Sequence, residues 1–386
     1  MERQLAAIPE MRRRQLRSWA PAEAAATLTP IGIGPLLDLA SNDYLGLSRH
    51  PALVAAAQAA AADAGVGAGA SRLVSGSRQV HDELEGALAQ WLGRDRVLLF
   101  PSGFQANLAA VAAMADRHSL VLADRLIHQS LLTGVRASGA RLQRFGHNDL
   151  VDLQGRLQTA RRDRPDQRLL VLSESLFSMQ GTSPDVAALT TLCADHGAAL
   201  LLDEAHALGV LGPGGRGLGH GEGRIALLSG TFGKAFGSGG AFLAGDALAM
   251  EWLLQFSGPF RYTTALAPPL AAAALAALRQ IQAEPLAPAL LRRAGRWRTA
   301  LEAAGWPRPP GEGPILPLLV GDDNLALELQ QRLEACGLLG VAIRPPSVPE
   351  GSARLRLVLR ADLPDGSLGR LLTALGPPPD QKRPCS

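Results

Sequence analysis

One lysine, one acid and two histidines occupy positions from which they can do chemistry together. Lys234 lies in Ser229-Gly-Thr-Phe-Gly-Lys234-Ala-Phe-Gly, downstream of Ala199-Leu-Leu-Leu-Asp203-Glu-Ala-His206. A lysine amine can hold an aldehyde as a Schiff base, and a carboxylate can keep a pyridine nitrogen protonated. Taken singly, Lys234 also fits a glycine-rich surface turn and Asp203 a helix cap. As a pair they suit a pyridoxal phosphate site. His128 follows an apolar run and the turn Ala123-Asp-Arg125; it can stack flat on a planar ring or stand as a solvated loop residue. His206, three residues past Asp203, and Ser178, in Ser173-Glu-Ser-Leu-Phe-Ser178, can each bond a phenolic oxygen. Glu174 is open to two readings, a functional acid or a buried one paired with a neighbouring base.

A phosphate needs an anchor. Ser102-Gly103-Phe104 follows the apolar run ending at Phe100 and opens a helix, whose free amides and dipole favour an anion. Thr231, three residues before Lys234, can add a hydroxyl. A nucleotide P-loop is excluded, because Leu228 stands where its first glycine is needed and Ala235 replaces the Ser or Thr after Lys234. Gly65, Gly67 and Gly69 follow a helical stretch rather than a strand, so they form no dinucleotide fingerprint. For a carboxylate, arginine forks are the natural clamps. Arg344 precedes Pro345-Pro346, while Arg354 and Arg356 alternate with leucines and share one strand face. That face is either a solvent-facing stripe or one on which Arg356 holds an amino-acid carboxylate.

These residues need a scaffold that gathers strand ends. The continuous apolar run before Asp203 predicts a strand buried on both faces of a parallel sheet, with Asp203 at its carboxyl end, where open α/β sheets bind ligands. Strands are expected at Val97–Phe100, Ser119–Ala123, Leu169–Ser173, Ala199–Leu202 and Ile225–Leu228. Helices are expected to begin near Gly103 and Gln129 and to cover Asp185–His196. The alternation predicts a mostly parallel sheet sandwiched by helices. A helical arm over residues 1–45, ending in a short strand at Leu36–Leu39, precedes a large domain at 46–275. A smaller α+β domain follows at 276–375, with a helix near Asn324–Cys336 and strands at Ile315–Val320, Val341–Ile343 and Leu355–Leu359. Residues 376–386, rich in proline, predict a disordered tail.

Composition excludes several classes. At 386 residues with 47% hydrophobic and 19% charged residues, the balance is that of an ordinary globular protein. A net charge of +3 implies no nucleic-acid partner. The longest uncharged apolar stretch, Ala265–Leu278, contains Pro268 and Pro269 and is too short for a bilayer, so no membrane partner is expected. Arg12, Arg13, Arg14 and Arg17 come with no apolar core of a secretory signal, and they fit a solvated helix face. Cys193, Cys336 and Cys385 offer neither metal spacing nor a disulfide framework, which favours the reducing cytoplasm.

The ordered set Ser41-Asn-Asp-Tyr-Leu-Gly46, Ser71-Arg-Leu-Val-Ser-Gly76, Ser102-Gly-Phe-Gln-Ala-Asn107, Asp203-Glu-Ala-His206, Thr231-Phe-Gly-Lys234 and Arg354-Leu-Arg356 resembles the α-oxoamine synthases, a family of fold-type I pyridoxal phosphate enzymes. Ser71–Gly76, His147-Asn-Asp149 and Ala342-Ile-Arg-Pro-Pro-Ser-Val-Pro349 carry the likeness to one branch within it. The resemblance implies a seven-stranded-type sheet and a homodimer with its site at the subunit interface. It implies that Lys234 carries the cofactor and moves the Cα proton, that Asp203 pairs with the ring nitrogen, and that His128 stacks on the ring and meets substrate. Ser178 and His206 would address the ring oxygen; Gly103, Phe104 and Thr231 would hold phosphate or ring, and Thr263 would reach a phosphate across the interface. Arg17, Arg344, Ser347 and Arg356 would bind substrate. Within the family the pattern is most similar to the members that condense L-alanine with a pimeloyl thioester, on coenzyme A or a carrier protein, in biotin biosynthesis. The alternatives are sister synthases of the glycine acetyltransferase or 5-aminolevulinate synthase type, and a fold-type I aminotransferase.

Overall fold

Seven segments rich in apolar residues form one sheet: β1 (Arg96–Phe100), β2 (Leu120–Asp124), β3 (Arg141–Phe145), β4 (Leu169–Glu174), β5 (Ala199–Asp203), β6 (Leu227–Thr231) and β7 (Ala241–Gly245). They run in the order β1-β7-β6-β5-β4-β2-β3. Pairings among β2 to β6 are parallel, while β7 is antiparallel to β1 and β6. β2, β4 and β5 are buried almost throughout because helices cover both faces, which is why they read as unbroken apolar runs. The computed structural model describes residues 1–32 and 34–378, so the tail expected from 376 lies outside the described residues from 379 onward.

Helices link the strands: α1 (Gly103–Met114) after β1, α2 (Gln129–Ser138) after β2, α3 (Leu150–Asp163) after β3 and α4 (Val186–Asp195) after β4. Side chains begin α1, α2, α3 and α4, since Ser102, His128, Asp149 and Asp185 each accept a backbone N–H of the first turn. α1 and α2 pack together closely, and Gly134 permits it: a Cβ there would stand 2.7 Å from Val111 Cβ. Phe100, Val111, Leu131, Phe177 and Leu243 belong to one core beneath these helices.

Three elements escape a reading by apolar runs. β3 is an edge strand whose sequence, Arg-Leu-Gln-Arg-Phe, carries two charges. β7 and β6 both cross glycines, and β6 runs three residues beyond Leu228 because its ladder continues through Ser229 to Thr231. The N-terminal region differs more. It holds a helix at Glu2–Ala6 and then strands at Trp19–Pro21, Thr27–Pro30 and Leu36–Asp38, the last paired in parallel with Leu338–Leu339.

The chain divides into two compact units. One comprises Leu47–Ser178 and Ser183–Ala287 and holds the seven-stranded sheet; the other comprises Met1–Gly46, Met179–Thr182 and the described residues from Pro288 on. The second unit contains a three-stranded antiparallel sheet of Ile315–Gly321, Ala353–Val358 and Val341–Ile343, with a helix at Asp323–Ala335. Among the described residues no helix is long and apolar enough to cross a membrane.

Candidate active site

The carboxyl ends of the central strands meet at a cavity of about 210 Å³ in the first unit. Its lining includes Gly103, Phe104, His128, Asp203, His206, Thr231 and Lys234, together with Asn107, Ser130 and Glu174. The fold places them by a simple rule: Asp203 closes β5, Glu174 closes β4, and Thr231 closes β6. His128 is the cap of α2, and Gly103 is the first residue of α1.

Asp203 is buried and fixed from two sides. Asn107 Nδ2 donates to Asp203 Oδ2 at 2.6 Å, and the backbone N–H of Ala205 donates to Oδ1 at 2.8 Å. Asn107 Nδ2 also donates to Ser130 Oγ at 2.9 Å, and Ser130 Oγ lies 2.7 Å from His128 Nδ1. The backbone N–H of His128 donates to Glu174 Oε1 at 2.6 Å. Desolvation holds the His128 imidazole below the ordinary histidine pKa; Asp203 opposes that shift and Lys234 adds to it. Glu174 is pushed well above the usual carboxylate range, first by burial and then by Asp203, with Lys234 and the His128 N–H opposing.

At the other end, Thr231 Oγ1 donates to the Gly240 carbonyl at 3.0 Å and accepts the Gly233 N–H at 3.2 Å. Gly103 faces it, and a Cβ at 103 would sit 3.6 Å from Thr231 Cβ, filling the gap between helix start and hydroxyl. An anchored carboxylate, a lysine amine, an imidazole and an open helix N-terminus beside a hydroxyl match the four parts of pyridoxal phosphate: ring nitrogen, aldehyde, ring face and phosphate. The donor set fits that group.

Ser178 and Thr263 lie in the same unit but not in the cavity lining; both are half-buried. Arg17, Arg344, Ser347 and Arg356 belong to the second unit. There Arg354 and Arg356 are buried rather than solvent-facing: Arg354 donates to the Met179 carbonyl, and Arg356 Nη2 to Asn42 Oδ1 at 2.9 Å. The N-terminal arginines share no helix face, since only Arg12 lies in a helical turn, but Arg13, Arg14 and Arg17 stay exposed as expected. Arg12 bonds Asp323 and Glu350, Arg14 bonds exposed Ser347 at 2.9 Å, and Arg17 bonds Glu334.

Sequence alone assigns Ser130 no role and Asn107 none beyond its place at the end of Ser102-Gly-Phe-Gln-Ala-Asn107. A signal existed, since Asn107 is a polar residue in the apolar helix Gly103–Met114, one turn on from Gly103 and therefore on its face.

The fold and this site together define a fold-type I pyridoxal phosphate enzyme. The chain belongs to the class I and II aminotransferase family, matched over residues 34–375, and within it to the 8-amino-7-oxononanoate synthases. It is 44% identical to 8-amino-7-oxononanoate synthase of Chromohalobacter salexigens over 347 residues, 89% of each protein. Among solved structures it is similar to the same-named protein of Francisella tularensis, with TM-score 0.75 and 27% identity, covering 88% of this chain and 96% of that one. It is also similar to a serine palmitoyltransferase of S. paucimobilis with PLP–myriocin bound, at TM-score 0.88 and 27% identity, covering 93% and 91%.

Proposed function

We propose that this chain condenses L-alanine with a pimeloyl thioester, releasing carbon dioxide and the thiol and forming 8-amino-7-oxononanoate for biotin biosynthesis. The observation that carries the reading is that Lys234 and Asp203 line one small cavity together with Gly103 and Thr231, which face each other. Membership among the 8-amino-7-oxononanoate synthases supports the choice of product.

Pyridoxal phosphate supplies an electron sink conjugated to the alanine Cα. Lys234 would hold it by Nζ and, once displaced by alanine, would take the Cα proton and return it after carbon dioxide has left. Asp203 holds the proton on the ring nitrogen, fixed for that task by Asn107 and Ala205. His128 covers one ring face, and its lowered pKa keeps it neutral there. Gly103 and Thr231 orient the phosphate, with Phe104 beside them. Ser178 and His206 address the ring oxygen, and Arg356 takes the alanine carboxylate. Ser347, Arg344 and Arg17 serve the acyl donor. The working form is a cytoplasmic homodimer in which Thr263 reaches the partner's phosphate.

The test is thiol release from pimeloyl-coenzyme A and from a pimeloyl carrier protein, each with alanine, glycine and serine. Alanine with the ω-carboxy acyl donor is expected to lead. A preference for glycine with acetyl or succinyl donors would assign a sister activity, and absence of any borohydride-trapped cofactor on Lys234 would remove the reading altogether.

A further inference from the structure

We propose that Asn107 is a positioning residue that couples the ring-nitrogen partner Asp203 to the ring-stacking His128 through a single buried amide. The inference rests on the pyridoxal phosphate reading above and extends it to a residue with no assigned role.

Asn107 is 3% exposed, on the face of α1 that turns toward the strand ends. Its Nδ2 reaches two acceptors, Asp203 Oδ2 at 2.6 Å and Ser130 Oγ at 2.9 Å, and so spends both of its hydrogens. Ser130 Oγ, 0% exposed as a residue, lies 2.7 Å from His128 Nδ1; the Ser130 backbone N–H donates to that same nitrogen at 3.3 Å, so Nδ1 is an acceptor and the hydroxyl its donor. The chain of donors therefore has one direction, from amide to hydroxyl to imidazole. It leaves His128 Nδ1 as an acceptor and puts any ring proton on Nε2. Glu174 Oε1 takes the His128 backbone N–H, which fixes the residue from the other side.

The same amide also separates two carboxyls. Asp203 and Glu174 are register partners on β5 and β4 and lie beside Lys234, His128 and His206, with Asp124 and Glu204 near them. Asp203 accepts from Asn107 and Ala205, whereas Glu174 accepts the His128 backbone N–H. Donors favour the anion they touch. Asn107 thus directs the shared negative charge to the carboxyl beneath the ring nitrogen. Its own Oδ1 is buried and unpartnered, so the amide is held for what Nδ2 does.

The experiment uses the full chain reconstituted with pyridoxal phosphate, comparing wild type with Asn107→Ala, Asn107→Asp and Ser130→Ala. Readouts are the pH titration of the Lys234-bound chromophore, the cofactor dissociation constant, and kcat against KM for alanine. Asn107→Ala is expected to weaken cofactor binding about 10–100-fold, the range for a lost hydrogen bond to a charged acceptor, and to shift the chromophore's titration midpoint. Asn107→Asp, which puts a second acid against Asp203, is expected to do more. Ser130→Ala cuts only the His128 branch and is expected to lower kcat with cofactor affinity retained; being a small change, it keeps the proposal testable should either Asn107 variant fail to fold. Unchanged titration and affinity in a folded Asn107→Ala protein, or loss of affinity in Ser130→Ala equal to that in Asn107→Ala, would overturn the coupling. If wild type itself forms no chromophore, it is the function reading that fails instead.

Discussion

Glu174 stands directly beside Asp203, paired with it in register at the ends of neighbouring parallel strands, and both carboxyls are buried. Two acids so placed do not both carry charge readily. Burial and Asp203 raise the Glu174 pKa well above its ordinary value, so Glu174 is the member that holds the proton.

Glu174→Gln imitates the protonated acid and keeps an oxygen for the His128 N–H. It is expected to leave kcat/KM within about threefold. Glu174→Ala removes that acceptor and is expected to lower kcat/KM about 10-fold, the worth of one buried hydrogen bond. Steady-state kinetics on both variants checks this. A glutamine variant as impaired as the alanine one would show that the charge of Glu174, not its shape, is in use.

Glu204 is a second buried acid beside the strand ends. Its carboxylate accepts the Ser175 hydroxyl at 2.6 Å and the N–H groups of Gly219 and Leu218, tying the loop after β5 back to the strand end. Burial dominates these bonds and raises its pKa from 4.5 to about 7. Because the folded state binds this proton more tightly than the unfolded state, the group's contribution to stability is present below pH 4.5 and falls as pH rises through the folded value. The loss is up to about 3 kcal/mol across that window. Thermal unfolding from pH 4.5 to 7.5 is expected to show a slope in wild type that Glu204→Gln flattens. Equal slopes in the two proteins would refute the assignment.

Sequence made the chemistry legible where a strand's apolar run ended in a polar residue. β5 ending in Asp203 and β4 ending in Ser173-Glu174 are such places, and they foretold which side of the sheet holds the site. It was silent where a residue acts through a neighbour distant in the chain. Asn107 reaches Asp203 across 96 positions, and no spacing rule reports that pairing. The N-terminal arginines are largely exposed, as their run of charge suggests, but their partners too are distant in the chain: Arg12 meets Asp323 and Glu350, Arg14 meets Ser347 and Arg17 meets Glu334. Edge strand β3, with two arginines, hid because the hydrophobic signal is weakest at a sheet edge.

In the second unit, Arg360 gathers three acids. It bonds Asp38 at 3.1 Å, Asp43 at 3.2 Å and Asp362 through both oxygens at 2.9 Å, joining the strand Leu36–Asp38 to the turn that follows it. Asp38 is fully buried, and its other oxygen caps Ala40 and Ser41. Arg360→Met is expected to cost about 3–5 kcal/mol in denaturant unfolding, since it strands a buried charge. Adding Asp38→Asn to that variant is expected to restore part of the loss. A double variant no more stable than Arg360→Met would mean that packing, not charge, sets the cost.

Arg356 offers the sharpest separation between binding and structure. It is 7% exposed, donates to Asn42 Oδ1 at 2.9 Å, and faces the phenol of fully buried Tyr44. Were it only a strut for Ser41-Asn-Asp-Tyr44, its loss would lower stability and leave the alanine KM alone. As the holder of the alanine carboxylate, Arg356→Ala is expected to raise that KM about 10²-fold with cofactor affinity preserved, because a charge-assisted fork to a carboxylate is worth some 1.5–3 kcal/mol. Arg356→Lys keeps the charge without the planar fork and should fall between. Asn42→Ala, which frees the guanidinium without removing it, is expected to raise the KM about 10-fold or less. Initial-rate kinetics over alanine concentration, run beside unfolding curves for each variant, distinguish the two roles. An unchanged alanine KM in a destabilised Arg356→Ala protein would return the residue to structure and leave the carboxylate to another cation.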